Sequence, residues 1–109
     1  MELKKPLEIV IQEEASVDLD VISDYIGLSS LLAAERLHFR IMSRIGDLAD
    51  FPHIGKPAPD KTLADLGVRY IGEGKYHIYY EIVGNAVSIL HIIHSARSGA
   101  ALRRLFEND

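Results

Sequence analysis

Apolar positions along this chain change their period twice, and each change marks an element. Leu7 to Ile11 is nearly unbroken, with Pro6 before it and Glu13-Glu14 after it, which predicts a short first strand at a sheet edge. From Glu14 onward Ala15, Leu19, Ile22 and Ile26 recur at helical spacing. Val21 and Tyr25 widen that stripe, and acids crowd the first turns, where the helix dipole favours them. Gly27 is a natural stop. Ser29 or Ser30 can then cap a second helix whose stripe is Ala34, Leu37, Ile41, Ile45 and Leu48, with Arg36, Arg40 and Arg44 as a separate row. Together the two segments predict a helical hairpin.

Phe51-Pro52 should end the second helix, because the residue before a proline is pushed out of helical geometry. Gly55, Pro57 and Pro59 predict about a dozen irregular residues after it, a loop long enough to carry function. Strand signals resume at Leu66 and break at Gly72-Glu73-Gly74. They run again from Tyr76 to Val83, break at Gly84-Asn85, and run from Val87 to about His94. Alternation in the middle strand puts Tyr76, Ile78, Tyr80 and Ile82 on one face, expected to pack on the helices. His77, Tyr79, Glu81 and Val83 share the other. The expected class is α+β: a short N-terminal strand, a helical hairpin, then a three-stranded antiparallel meander forming a curved sheet. One domain should span residues 1–109, with 99–109 as a tail or short helix.

Composition narrows the function. A chain of 109 residues, 48% hydrophobic, has material for one modest core. Without cysteine there is no disulfide framework, thiol nucleophile or cysteine-bound zinc. No apolar run approaches the roughly 18 residues of a membrane span, and the N-terminus lacks the apolar region of a signal peptide. A soluble, cytoplasmic protein with no membrane association is the expectation. The net charge of −4 argues against broad nucleic-acid binding. The net negative charge is concentrated in residues 1–27, however, and the rest of the chain is close to neutral, which leaves room for a local basic patch near the C-terminal strands.

His91 and His94 are three apart on a predicted strand and face opposite ways, and no histidine pair lies on a predicted helix, so neither metal nor cofactor is expected. The meander can bring Arg69, Lys75, Tyr76, Tyr79, His94 and Arg97 near one end of the sheet. Cations stabilise a phosphoryl anion and a histidine or tyrosine moves protons, which is the minimum for metal-free RNA cleavage through the 2′-hydroxyl. The competing reading, favoured by the acidity, makes the arginines solvated strand ends, Tyr76 and Tyr80 core aromatics, and His94 a structural residue. Likewise the apolar tail, Ala100-Ala101-Leu102 through Leu105-Phe106, either packs as a short helix on its own domain or meets a partner.

Taken in order, several motifs resemble the ParE branch of the RelE/ParE toxin superfamily. They are Ala15-x-x-Asp18-Leu19-x-x-Ile22-x-x-Tyr25-Ile26, Ile45-x-x-Leu48, Phe51-Pro52-x-x-Gly55, Val68-Arg69, Tyr79-Tyr80 and Ile89-Leu90-x-Ile92-x-His94-x-Ala96-Arg97. The resemblance implies a helical hairpin against a curved sheet, in a toxin held inactive by a cognate, ParD-like antitoxin. A hetero-oligomer of the two would associate with DNA indirectly, through the antitoxin. RelE-like members are ribosome-dependent mRNA endonucleases, whereas ParE-like members are associated with poisoning DNA gyrase.

The closing His94-Ser-Ala-Arg97 and the acidity side with ParE. Ser98-Gly99-Ala100 stands where a RelE-like ending would be expected, and Ser98 stands where ParE members often carry an acid. The expectation is therefore a type II toxin that inhibits DNA gyrase by binding, through Arg69, Lys75, Tyr79, His94 and Arg97. The antitoxin is expected on Leu19, Ile22, Tyr25, Ile26, Leu37 and Ile41. The alternatives are an mRNA endoribonuclease using Arg69, Tyr79, His94 and Arg97 as catalytic groups, or a non-toxic, antitoxin-binding relic.

Overall fold

The computed structural model describes residues 5–97 and 99–107. Its elements run β1 (Glu8–Ile11), α1 (Glu13–Gly27), α2 (Leu31–Asp50), β2 (Lys56–Pro57), α3 (Lys61–Asp65), β3 (Arg69–Glu73), β4 (Tyr76–Val83), β5 (Ala86–His94) and α4 (Gly99–Phe106). The five strands form one sheet in the order β1-β5-β4-β3-β2. β1 takes the predicted edge position and runs parallel to β5, while the remaining pairs are antiparallel.

The helical hairpin forms as its periodicity demands. Ser30 caps α2 by accepting the Ala33 N–H at 3.1 Å. Ala15, Leu19, Leu37, Ile41, Ile45 and Leu48 bury against Ile71, Ile78, Tyr80, Val87, Ile89 and Ile92 on one face of the sheet. In β5 that inward set breaks strict alternation, because Tyr79 stands opposite His91 while Tyr80 stands opposite Ile89. Leu90 is thus the extra residue of a β-bulge, and this one-residue slip lets Val87, Ile89 and Ile92 all face the hairpin. His91 and His94 remain on opposite faces.

Two expectations about the middle of the chain are corrected. The residues after Pro52 are not irregular throughout: Lys56 and Pro57 pair with Tyr70 and Arg69 as a short edge strand. Asp60 then caps α3, its Oδ1 accepting the Leu63 N–H at 3.0 Å. Nor does a strand begin at Leu66, which closes α3. Gly67, at φ 90°, turns the chain so that β3 starts at Arg69.

The second face of the sheet is also covered. Ala58, Leu63, Val68, Tyr79, Ile93 and Leu102 bury together there, with Tyr70, Leu90, Leu105 and Phe106 packed around them. The C-terminal segment therefore folds back as α4. Arg103 fixes it with Nε and Nη2 donating to Asp60 Oδ2 at 3.1 and 2.8 Å, a two-pronged ion pair on a nearly buried carboxylate. Its hydrogen bonds from Arg103, then that from the Leu63 N–H, hold the Asp60 carboxyl below the usual carboxylate range. Among the described residues no helix is long and apolar enough to cross a membrane.

Candidate functional site

The six residues expected at one end of the sheet separate into three environments. Arg69 pairs in register with Tyr80, and Glu73 with Tyr76, so Arg69 lies four residues from the β3–β4 turn. That is about 13 Å along a strand. Arg69 is also engaged: its Nη1 donates to the Gly55 carbonyl at 2.8 Å. The same loop is held by Tyr80, whose hydroxyl accepts the Gly55 N–H at 3.0 Å and donates to the Pro52 carbonyl at 2.8 Å. A Cβ at Gly55 would stand 2.7 Å from Tyr80 Cε1 and 2.9 Å from the Tyr70 carbonyl. The Phe51-Pro52-x-x-Gly55 motif thus has a structural explanation, a loop pinned to the sheet by one tyrosine and one arginine.

Tyr79 is only 1% exposed, enclosed by Tyr70 and Phe106 on the α4 side of the sheet. Burial, and then Tyr70, push its hydroxyl up to about 12, far from the range in which a side chain exchanges protons efficiently at neutral pH. As a surface residue for a target, Tyr79 is corrected by α4, which covers it.

Lys75, Tyr76, His94 and Arg97 do come together. Gly74, at φ 58°, makes the β3–β4 turn beside Lys75, and the Lys75 carbonyl accepts the Ser95 N–H at 2.8 Å. Tyr76 and His94 face each other across β4 and β5 with ring centroids 5.6 Å apart, edge to face. His94 Nδ1 accepts the Ala96 N–H at 3.0 Å, and its carbonyl accepts the Arg97 N–H at 3.0 Å. The imidazole thereby shapes the turn that carries Arg97. An Nδ1 that accepts from the backbone leaves Nε2 as the ring nitrogen that can donate.

This end opens into a groove of about 360 Å³ between α1 and the last residues of β5, lined by Val21, Ile22, Tyr25, Tyr76, His94 and Arg97 among others. The acids nearest it are spoken for. Where β1 stops, β5 has an open edge, and Asp18 closes it: Oδ2 accepts the Ile92 N–H and meets His91 Nδ1, both at 2.9 Å. Glu73 pairs with Arg40 at 3.7 Å. Among the described residues no cluster of three or more His, Asp or Glu forms a metal cage.

On the hairpin, Leu19, Leu37 and Ile41 are core residues at 6%, 5% and 0% exposure, so a partner docking on the folded hairpin does not reach them. Ile22 and Ile26 are half-buried against the same core, and only Tyr25 of the expected set stands clear. The sequence reading joined Val21 to the core stripe and did not mark Val17, Leu28, Leu31, Leu32 and Phe39, and all six are exposed. Their signal is present in the sequence: Val17, Val21, Tyr25 and Leu28 recur at helical spacing, out of phase with the core stripe.

A helical hairpin on one face of such a sheet recurs in chains of solved toxin–antitoxin assemblies. The solved chromosomal ParDE TA system from P. aeruginosa contains a chain with this fold, at a TM-score of 0.67 and 22% identity over 81% of this chain and 95% of that one. The RelBE2 toxin–antitoxin complex from Mycobacterium tuberculosis contains another, at a TM-score of 0.53 and 26% identity over 82% and 98%. In sequence, Toxin RelE2 of Caulobacter vibrioides is 37% identical over 90 residues, 83% of this chain and 97% of that protein. The model of the ParE toxin of type II toxin–antitoxin systems, parDE, matches residues 9–99, and the chain belongs to that family.

Proposed function

We propose that this toxin acts by binding DNA gyrase through the open end of the sheet, and that a cognate antitoxin docked on the hairpin and its adjoining groove holds it inactive. The observation that carries the reading is the character of that end. Lys75, His94 Nε2 and Arg97 all present donors beside Tyr25 and Tyr76, while Asp18 and Glu73 are occupied elsewhere. Such a surface grips an acidic or hydrogen-bond-accepting partner. Proton transfer needs a base within reach, and His94 Nδ1 is turned to the Ala96 N–H. Arg69 and Tyr79 support the fold in this reading, leaving Lys75, His94 and Arg97 as the target-binding set.

The test is supercoiling by purified gyrase with the antitoxin-free protein added, scoring trapped cleaved DNA on the same gel. Inhibition or accumulation of cleaved DNA is expected. Untouched supercoiling by a folded sample that arrests growth would reject gyrase as the target.

A second reading, an mRNA endoribonuclease, draws on the similarity to a relative named RelE2. There Arg97 would hold the scissile phosphate and His94 would turn from Ala96 to handle protons. Transcript cuts that disappear in His94→Ala would favour it over gyrase binding.

A further inference from the structure

His91 is a buried histidine, 9% exposed, and both of its ring nitrogens face oxygens. Nδ1 lies 2.9 Å from Asp18 Oδ2 on α1, and Nε2 lies 3.2 Å from the Leu105 carbonyl in the last turn of α4. Both oxygens are acceptors. A carbonyl has no proton to give, and Oδ2 already takes the Ile92 N–H at 2.9 Å, as a carboxylate does. A neutral imidazole offers one N–H. With that proton on Nδ1, the lone pair of Nε2 is turned on the Leu105 carbonyl. With it on Nε2, the lone pair of Nδ1 is turned on the carboxylate. Only the imidazolium, with a proton on each nitrogen, satisfies both oxygens.

Three further elements pack around the ring, and what they present suits a cation. α1 contributes Asp18 and also Glu14, which lines a small hollow with His91, Leu90, Leu105 and Phe106. β4 sets Tyr79 opposite His91, with its hydroxyl pushed up to about 12 and so uncharged. α4 brings Phe106, edge to face at 5.0 Å, and the carbonyls of its last turn, the negative end of the helix dipole. Of the charged α4 side chains, Arg103 is turned to Asp60, while Arg104 and Glu107 are exposed. Arg97 lines the neighbouring groove with Asp18, yet among the described residues no lysine or arginine pairs with Asp18.

We propose that the end of α4 is a proton-dependent latch. Doubly protonated, His91 ties α1, β5 and α4 together through Asp18 and the Leu105 carbonyl. When the ring loses one proton, Asp18 keeps the remaining N–H, the Leu105 carbonyl is left against a lone pair, and the last turn of α4 moves off. A docked helix thus retains a proton that the ring releases more readily once the helix is away. By linkage the latch is complete in mild acid, where an uncoupled imidazole is protonated too, and is lost as pH rises through the range in which the docked ring titrates. The Asp60 carboxyl, held below the usual carboxylate range, stays ionised throughout that window, so the Arg103 clasp does not change with it. Leu105 also lines the groove beside Tyr76, His94 and Arg97, so the latch sets part of one wall of that groove. A link from pH to target binding rests on the function proposed above; the latch itself does not.

The test follows the full wild-type chain by NMR from about pH 5.5 to about pH 8.5, the span over which histidines titrate. The ring nitrogens of His91 report the proton. Amide-exchange protection, corrected for the pH dependence of exchange itself, reports the helix. Both ring nitrogens are expected to be protonated at the acid end, and protection of the last α4 turn to fall at least about tenfold as the ring titrates, while β4 and β5 keep theirs. His91→Gln, which cannot titrate, should make α4 protection independent of pH over this span, and so separates His91 from the other histidines. Protection of α4 that stays constant in wild type while His91 titrates would overturn the latch, whether or not the variant folds. So would a neutral ring at the acid end with α4 docked, or a loss of protection that persists in His91→Gln. Growth arrest and gyrase inhibition enter none of these outcomes, so the latch can fail while the toxin reading stands, and the reverse.

Discussion

Arg69 and Arg97 look alike in the sequence, each beside a strand end, and the structure gives them opposite work. Arg69 is half-buried and holds the Gly55 carbonyl at 2.8 Å, part of the knot through which Tyr80 pins Pro52 and Gly55 to the sheet. Arg97 is exposed on a turn shaped by His94, at the mouth of a groove. A half-buried cation that holds a backbone carbonyl serves the fold, and one whose own backbone alone is fixed keeps its guanidinium for another molecule. Substitutions at the two ends of the sheet should therefore separate into those that change stability and those that change toxicity.

The sharpest way to break this contrast is Gly55→Ala. Its methyl group would press into the Tyr80 ring, and overpacking of this kind costs about 3 kcal/mol. A melting temperature within a degree of wild type would show that the loop is not pinned as described. Next in size is Tyr80→Phe, which strands the Gly55 N–H and the Pro52 carbonyl and should cost about 2 kcal/mol in urea unfolding. Arg69→Met removes one charge-assisted bond and should cost about 1 to 2 kcal/mol. If it instead abolished toxicity at unchanged stability, Arg69 would belong with Arg97.

A fourth prediction concerns pH and the α4 clasp. Because its partners hold the Asp60 carboxyl below its ordinary value, the stabilisation it contributes is present above about pH 4 and fades as pH falls through the lower folded value. Asp60→Asn should thus be less stable than wild type at pH 7, by a gap that narrows as pH falls below about 4. A gap that persists unchanged in acid would contradict the clasp. The smallest stability effect is expected from Arg97→Ala, within about 0.5 kcal/mol, as for surface positions generally.

How much of this was legible depended on whether a residue's partner is local. The hairpin, the β4 alternation and the Ser30 cap follow from periods and turn residues within a few positions, and the family resemblance rested on them. What Arg69 does was not legible, because its acceptor is a backbone carbonyl 14 residues away, in a loop the sequence displays only as prolines and glycine. Tyr79 was placed on the correct face but not under its cover. That cover comes from α4, whose clasp joins residues 43 positions apart, Arg103 and Asp60. For the hairpin, inward and outward apolar stripes share one period and differ only in phase. On α1 both were read as one widened stripe, and on α2 the antitoxin was expected on Leu37 and Ile41, which belong to the core.

The open end of the sheet as the toxic surface is tested most directly by growth arrest on expression of Arg97→Ala, at the soluble level and melting temperature of wild type. Growth should continue, because the fold is intact and only the cation at the groove's mouth is gone. Arrest as complete as that caused by wild type would contradict the assignment and move the search for the toxic surface away from this end of the sheet.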